Sequence, residues 1–471
     1  MSPGKVVGEN KLYKDFMVTN RERKMVDMNS ENVRRNSLFL LKTTSVIIIC
    51  SLFFIQSAVF SAEKTFIQSD ITELVSNARS GIYLNVTDYF PDGYVRDGSV
   101  NYQNEIQKAV DDAAELNRIL KFPPMKYLLN ESGIHLRSGL TMEMPGAVFL
   151  LDENRSKDGH VFWGLDVSDL IITGGEIAGM RDKWAEGVNI RGFYLTGRIK
   201  NIRISEMYIH DLSSNGIGIF GDPTDFANDI WIKDVVIDNC SNYYGDYLSE
   251  KPGPEKGSKR TDQGLIAMYH VRNFVVDGSR FDRSRSDATH FYKCENGQFV
   301  NNKVYGAQMG GYFLETSVGV LASNNLIIDN GSRGVTIERG SRNCSLVGNF
   351  VSGSGREGLW APDSVGLVVT SNIFDKNGRK PNGSEPNQVW NANITIDEAS
   401  HDKTDTLTED YMISDNIIYT TESQIAAIRV DADKSSSIII KNNLLKGDNH
   451  DILVQGDGEG KVYISGNENL R

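Results

Sequence analysis

Gly334–Asp363 reads GVTIERGSRNCSLVGNFVSGSGREGLWAPD. Two strand-like pieces, GVTIE from Gly334 and GLWAP from Gly358, begin 24 residues apart. Between them, Asn349 stands two positions before the apolar Val351. That frame continues outward in both directions. Asn302, Asn325, Asn349 and Asn372 each precede an apolar residue by two, at intervals of 23, 24 and 23. It returns at Asn416, Asn443 and, imperfectly, Asn467, and Ser279 holds the place one period before Asn302. Each repeat reads as an apolar strand, an Asn turn, a second apolar strand, a Gly-rich turn and a further short strand.

A period of 23–24 residues with three short strands is one coil of a parallel β-helix. One coil cannot bury its own apolar side chains, whereas stacked coils form a continuous core. Successive coils pair in parallel about 4.8 Å apart, so equivalent positions become ladders. A column of Asn then satisfies backbone groups at a bend. Parallel crossovers wind right-handed as a rule, so the expectation is an all-β, right-handed solenoid of about 10–12 coils. A leucine-rich horseshoe would need an L-x-x-L-x-L frame, which is absent.

The composition agrees. With 39% hydrophobic and 24% charged residues the chain is globular rather than disordered. Its net charge of −12 lacks the basic footprint of a general nucleic-acid binder. Cys50, Cys240, Cys294 and Cys344 form no CxxC or Cys/His cluster, and buried free thiols are expected rather than a zinc site. The basic VRRNSLFLLK followed by the apolar TTSVIIICSLFFIQSAVFS reads as a signal peptide or membrane anchor within residues 1–62. Residues from about 63 are therefore expected to be exported, with any membrane contact confined to about 44–61.

Residues 63–100 read as a lead-in and 101–471 as the solenoid. At its start, NYQNEIQKAVDDAAELNRILKF places Ile106, Ala109, Val110, Ala113 and Ala114 on one helical face, predicting a capping helix over about 102–118 and a strand at RILKF. The unit DGSVNYQNEIQKAVDDAAELNRILKFPPMKYLL resembles the opening of the pectate-lyase-like superfamily of exported carbohydrate enzymes. It departs at Pro123-Pro124-Met125-Lys126-Tyr127, which lacks the usual glycine. The resemblance covers roughly 85–470. It implies a right-handed β-helix acting on a polysaccharide or oligosaccharide, as hydrolase, lyase, epimerase or adhesin.

The strands after the Gly-rich turns can be aligned as GIGIF (216), GLIAM (264), ATHFY (288), GYFLE (311), GVTIE (334), GLWAP (358) and NITID (393). Alternation puts the third and fifth residues outward. One outward column is Gly218, Ile266, His290, Phe313, Thr336, Trp360 and Thr395. The other is Phe220, Met268, Tyr292, Glu315, Glu338, Pro362 and Asp397. Lys293, Arg339 and Asp363 follow these strands, and Asp287, Arg333 and Glu357 precede them. Two insertions, 243–263 and 377–390, enter this face and would wall a groove.

Trp360, Phe313 and Tyr292, with Arg333, Arg339 and Arg356, suit sugar stacking and planar hydrogen bonding, and Asp287 joins the binding set. Adjacent Glu315 and Glu338, with Asp363 more distant, suit hydrolysis by paired carboxylates, the leading expectation. His290 and Tyr292 as base and acid, with arginines neutralising a carboxylate, suit a lyase or C5-epimerase on a uronate polymer. A non-catalytic carbohydrate-binding module would use Trp360 and the arginines alone. No cofactor is required, although Glu315, Glu338 and Asp363 could hold calcium. The sequence leaves the oligomeric state open.

Overall fold

The computed structural model describes residues 83–152, 157–242, 259–379, 392–398 and 407–470. The apolar run at 44–61 lies outside them, as does the rest of the expected targeting segment. Among the described residues, no helix is long and apolar enough to cross a membrane.

Three parallel sheets, two of 14 strands and one of 12, run the length of the described chain. Each coil adds one strand to each sheet. The coil around Asn349 contributes Ser345–Val347 to the first sheet, Phe350–Ser352 to the second and Leu359–Trp360 to the third. Short strands alternate strictly, so Val335, Ile337, Leu346, Val351 and Leu359 all sit at 0–1% exposure in one continuous core. Large rings fill its centre. Tyr312 stacks on Phe299 at 5.1 Å and meets the edge of Phe291 at 5.9 Å.

The first bend is made by the Asn column. Asn325 Oδ1 accepts from the backbone N–H of Asn302 at 2.9 Å, Asn349 Oδ1 from Asn325 at 3.0 Å and Asn372 Oδ1 from Asn349 at 2.9 Å. Each Nδ2 turns back to a carbonyl of the first sheet, as Asn349 does to Ala322 at 3.0 Å. The ladder extends through Asn416 and Asn443 to Asn467, and Ser279 N–H donates to Asn302 at its upper end. The residue before each rung is left-handed, for example Asn324 (φ 56°), Gly348 (φ 68°) and Ser371 (φ 58°). That conformation reverses the chain within one residue.

The helix forms at Gln103–Glu115 and buries Ile106, Ala109, Val110 and Ala113, with the strand Ile119–Lys121 following. The solenoid starts earlier than the expected boundary at 101. Tyr83–Asn85 already pairs with Ile119–Lys121, and Asp97–Asn101 with Lys126–Leu129. These strands are short and polar, so their sequence carries no apolar alternation to mark them. Cys240, Cys294 and Cys344 are buried free thiols.

Replacing Asn349 by Ala strands the Asn325 N–H and the Ala322 carbonyl inside the stack. The expected cost is about 2–4 kcal/mol, since two buried groups lose partners. Urea unfolding of Asn349→Ala should therefore show an earlier midpoint; an unchanged midpoint would deny the ladder its structural role.

Candidate functional site

Pairing in the third sheet sets which side chains meet on its outward face. Ile266–Tyr269 pairs with Thr289–Tyr292 so that Ala267 faces His290 and Tyr269 faces Tyr292. Tyr292 in turn faces Glu315, and Glu315 faces Glu338. Trp360 lies between Thr336 and Thr395. The expected columns hold except in the strand after the first insertion. There, alignment on Gly264 is one residue out. Ile266 and Met268 point into the core, and Ala267 and Tyr269 point outward. The 23-residue interval from Tyr269 to Tyr292 was the signal that identifies the correct frame.

This shift brings in the decisive side chain. The Tyr269 hydroxyl lies 3.0 Å from His290 Nδ1 and 3.1 Å from the carbonyl oxygen of Arg260. On the other side of the ring, His290 Nε2 lies 3.3 Å from Glu315 Oε2. His290 is fully buried, stacked at 4.8 Å on Phe313 and met edge-on by Tyr269 at 5.0 Å. Glu315 is held by Arg260 and, at 3.1 Å, by Arg339 Nη1. Burial would raise the Glu315 carboxyl, but the His290 hydrogen bond and the Arg260 charge overcome it and hold the pKa at about 2. Burial pushes His290 below its ordinary value and Tyr269 above its own. The resting state is therefore an ionised Glu315, a neutral His290 whose Nε2–H faces it, and a Tyr269 hydroxyl whose one proton serves the Arg260 carbonyl or His290 Nδ1.

Arg260 reaches this group from a short 3-10 turn, Arg260–Asp262, at the end of the first insertion. The same turn anchors itself beneath: Asp262 pairs with Arg191 and accepts from Ser214 Oγ at 2.8 Å. Next to it, Gln263 donates to Asp287. So the end of the first insertion does enter this face. Residues 243–258 and the insertion core at 380–390 lie outside the described residues.

The other expected site residues divide. Tyr292 is half-buried beside the group but carries Arg260 and Lys293 over its ring, at 5.6 and 5.0 Å, rather than pairing with His290. Glu338 meets Arg339 at 3.5 Å and is 4% exposed. Arg333 bonds Glu357 at 3.2 Å and covers the face of Trp360 at 3.7 Å, and Arg356 lies 3.6 Å from the same Glu357. Trp360 donates from Nε1 to Asp397 at 2.7 Å, and Arg429 reaches that carboxylate at 3.2 Å. Asp363 occupies a left-handed corner, 1% exposed, with its N–H on Thr408.

These contacts bear on how the expected site residues can act. Trp360 and Phe313 are no sugar platforms, because each has a ring face taken by a neighbour and both are at most 8% exposed. Arg260, Arg339 and His290 all favour the charged form of Glu315, so of the Glu315/Glu338 pair Glu315 is the ionised member. Glu315, Glu338 and Asp363 do not converge on a cation, and among the described residues no group of three or more His, Cys, Asp or Glu does.

A family model described as a right-handed beta helix region matches residues 264–400. No curated protein matches the chain. Among solved structures, the A-module of mannuronan C-5 epimerase AlgE4 from Azotobacter vinelandii has a TM-score of 0.66 at 16% identity, covering 82% of this chain and 100% of that one. The AlgE6 A-module of the same organism gives 0.57 at 14%, with 82% and 99% covered. PfbA, a surface adhesin of Streptococcus pneumoniae, gives 0.51 at 16%, with 82% and 90% covered. The likeness is one of fold: a right-handed parallel β-helix.

Buried Asp397 supplies a test of the electrostatics. Burial raises its pKa to about 6 despite the Trp360 bond and the Arg429 charge. The folded value exceeds the unfolded one of about 3.9, so this stabilisation is complete below pH ~4 and lost as pH rises through ~6. Asp287, raised to about 6 by burial, acts in the same direction. Glu315 acts oppositely, losing its contribution as pH falls from ~4.5 towards 2. Thermal melting of Asp397→Asn across pH 4–8 should show a shallower decline than the parent protein; an identical slope would overturn the assignment.

Proposed function

We propose that this protein is an exported enzyme that moves the C5 proton of a uronate-containing polysaccharide, as a lyase or C5-epimerase. The observation that carries this reading is the chain Tyr269–His290–Glu315, with Arg260 and Arg339 beside it. Tyr269 is its half-buried end and the group placed to touch substrate. His290 and Glu315 are buried behind it and act through it.

The proton path balances without a further reagent. Tyr269 Oη takes the proton from C5 while its own proton passes to His290 Nδ1. The C5–H electron pair moves into the sugar carboxylate, giving an enolate-like dianion. His290 becomes an imidazolium, donating from Nε2 to the ionised Glu315 and from Nδ1 to the Tyr269 oxygen. The carbonyl of Arg260 then accepts the new phenolic proton, which is why a second acceptor 3.1 Å from that hydroxyl suits the relay. The Arg260 side chain, 38% exposed, with half-buried Arg339 and Lys293, supplies positive charge where the dianion develops. Breaking C4–O4 as the Tyr269 phenolic proton passes to O4, with His290 Nδ1 returning its proton to Tyr269, completes an elimination; reprotonation of C5 from the opposite face by solvent water, the hydroxide so formed being neutralised by the imidazolium proton through Tyr269, completes an epimerisation.

Hydrolysis by Glu315 and Glu338 fits less well, because with Glu315 ionised the acid would have to be Glu338, which is 4% exposed and lies 3.5 Å from Arg339, a charge that opposes its protonation. A purely binding protein would need no Tyr269–His290–Glu315 chain at all.

On a panel of polyuronates, the expected products are unsaturated uronate ends, seen by ultraviolet absorbance, or C5-deuterated residues formed in heavy water without chain cleavage. Tyr269→Phe should lower turnover by about 10²–10⁴-fold while melting like the parent. New saturated reducing ends that vanish in Glu338→Gln, or full turnover in Tyr269→Phe, would refute the proposal.

A further inference from the structure

The turn Arg260–Asp262 gives the site two groups, yet it belongs to no sheet. Its Arg260 guanidinium pairs with Glu315, and its Arg260 carbonyl lies 3.1 Å from the Tyr269 hydroxyl. Strand register places neither group, because the turn closes the first insertion and stands outside the coil repeat. The Asn ladder serves the bend between the first and second sheets, not this one. A three-residue turn must therefore be held by side chains if it is to meet two partners on different coils.

Asp262, fully buried, provides that hold. Its Oδ1 pairs with Arg191 and accepts from Ser214 Oγ at 2.8 Å, while its Oδ2 accepts the Lys259 N–H at 2.9 Å and closes the turn on itself. Arg191 is 5% exposed and comes from the strand Ile190–Gly197, two coils before Ile266–Tyr269 in the third sheet. Its guanidinium lies 5.1 Å from the Tyr194 ring, which steadies it. From the intervening coil, Asn215 Nδ2 donates to the carbonyls of Gln263 and Gly264, at 3.2 and 2.8 Å, and fixes the chain as it leaves the turn. Replacing a buried ion pair by packed apolar side chains is often neutral for stability. What the Arg191–Asp262 pair adds is direction. Three donors converge on two carboxylate oxygens, and an amide in their place would turn an N–H towards one of them.

We infer that Asp262, seated by Arg191, is a positioning residue for the proton relay, holding Arg260 so that its guanidinium meets Glu315 and its carbonyl meets the Tyr269 hydroxyl. The role deepens the lyase or epimerase reading and rests on it. Without the Asp262 carboxylate the turn loses its tie to Arg191, and Arg260 leaves both partners together. The consequence reaches His290, on which Tyr269, Glu315, Arg260 and Arg339 all bear. Burial, and after it the Arg260 and Arg339 charges, hold the imidazole neutral against the pull of Glu315. Withdrawal of Arg260 therefore lets His290 take up a proton at higher pH. Because Asp262 acts through Arg260, the two residues behave as one unit.

The test compares the full chain carrying Asp262→Asn, Arg260→Gln or both with the parent protein. One readout is kcat/KM on a polyuronate. The other is the His290 titration, followed by NMR of histidine labelled at Cε1, which needs no substrate. Each single variant should lower kcat/KM by about tenfold or more and raise the His290 pKa by about one unit. The double variant should match the worse single one to within about twofold. Should Asp262→Asn fail to fold with Arg191 left unpaired, Arg191→Met combined with Asp262→Asn removes both charges and takes its place. Unchanged turnover and an unchanged His290 titration in Asp262→Asn overturn the inference. Losses that multiply in the double variant overturn it too, because Asp262 then acts by a route other than Arg260. So does lost turnover with the His290 titration unmoved, the mark of a general loosening. A parent that turns over no polyuronate, with the His290 shift present in both single variants and no larger in the double, supports the positioning role and defeats the catalytic reading alone.

Discussion

The amide of each ladder asparagine does two jobs at once. Its oxygen accepts the backbone N–H of the rung above, and its nitrogen returns to a carbonyl of the first sheet. Serine at 279 receives the ladder's oxygen through its backbone, and its hydroxyl carries the column one coil further, accepting the Val235 N–H at 3.2 Å and donating to the Asp277 carbonyl at 3.1 Å. A bend so constrained admits no slip of one residue. In a strand, such a slip would exchange the core face for the outward face. Every cross-coil contact in the candidate site depends on that exclusion. Tyr269, His290 and Glu315 come from three successive coils, and a one-residue shift in any of them would send its side chain into the core.

Given that register, the outward face of the central coils poses an electrostatic problem. It stacks Glu315 on Glu338 and buries both, along with Asp287, Glu357 and Asp397. A buried carboxylate is costly unless several donors satisfy it. The chain answers with arginines: Arg333 before a strand, Arg339 in the left-handed corner after it, and Arg429 within a strand two coils beyond Trp360. Most of these pairs involve neighbouring residues or adjacent coils and suffice for a neutralised ladder. Glu315 is different. It receives Arg339 from the next coil, His290 from the preceding one and Arg260 from outside the regular repeat. A ladder does not need the third donor, nor a histidine whose other nitrogen meets a tyrosine hydroxyl.

Much of this architecture was legible as periodicity. Asn302, Asn325, Asn349 and Asn372 report the period because their role is backbone chemistry, which leaves little freedom in residue type. The outward columns followed from alternation alone. What alternation cannot convey is what packs over an outward side chain. Trp360 and His290 read as exposed because they oppose the core, yet Arg333 covers one and Phe313 with Tyr269 encloses the other. Tyr269 escaped because the insertion before it removes the upstream spacing that would locate its strand. Gly264 then looked like the strand's first residue, whereas it sits at φ +91° in the turn before it. The polar strands Tyr83–Asn85 and Asp97–Asn101 were invisible for the opposite reason, since they face solvent and carry no pattern.

The upstream half of the same sheet bears on how a saccharide can be recognised here. His135 stacks on Trp163 at 3.9 Å, His160 on Tyr194 at 4.5 Å, and Phe220 meets Tyr269 at 5.3 Å. Rings in outward columns repeat at the strand spacing of about 4.8 Å, which is close to the separation of stacked aromatics. The first two pairs stack and the third meets edge to face, so each ring has a face or an edge taken by the next coil. A sugar cannot take a face that the next coil already occupies. Aromatic abundance on a β-helix thus argues for rigidity of the sheet before it argues for sugar stacking. On the proposed reading, recognition falls to the charged groups around Tyr269 that remain partly exposed, Arg260 and Lys293. That is a surface suited to the charge of an acidic sugar rather than to the apolar face of a neutral one.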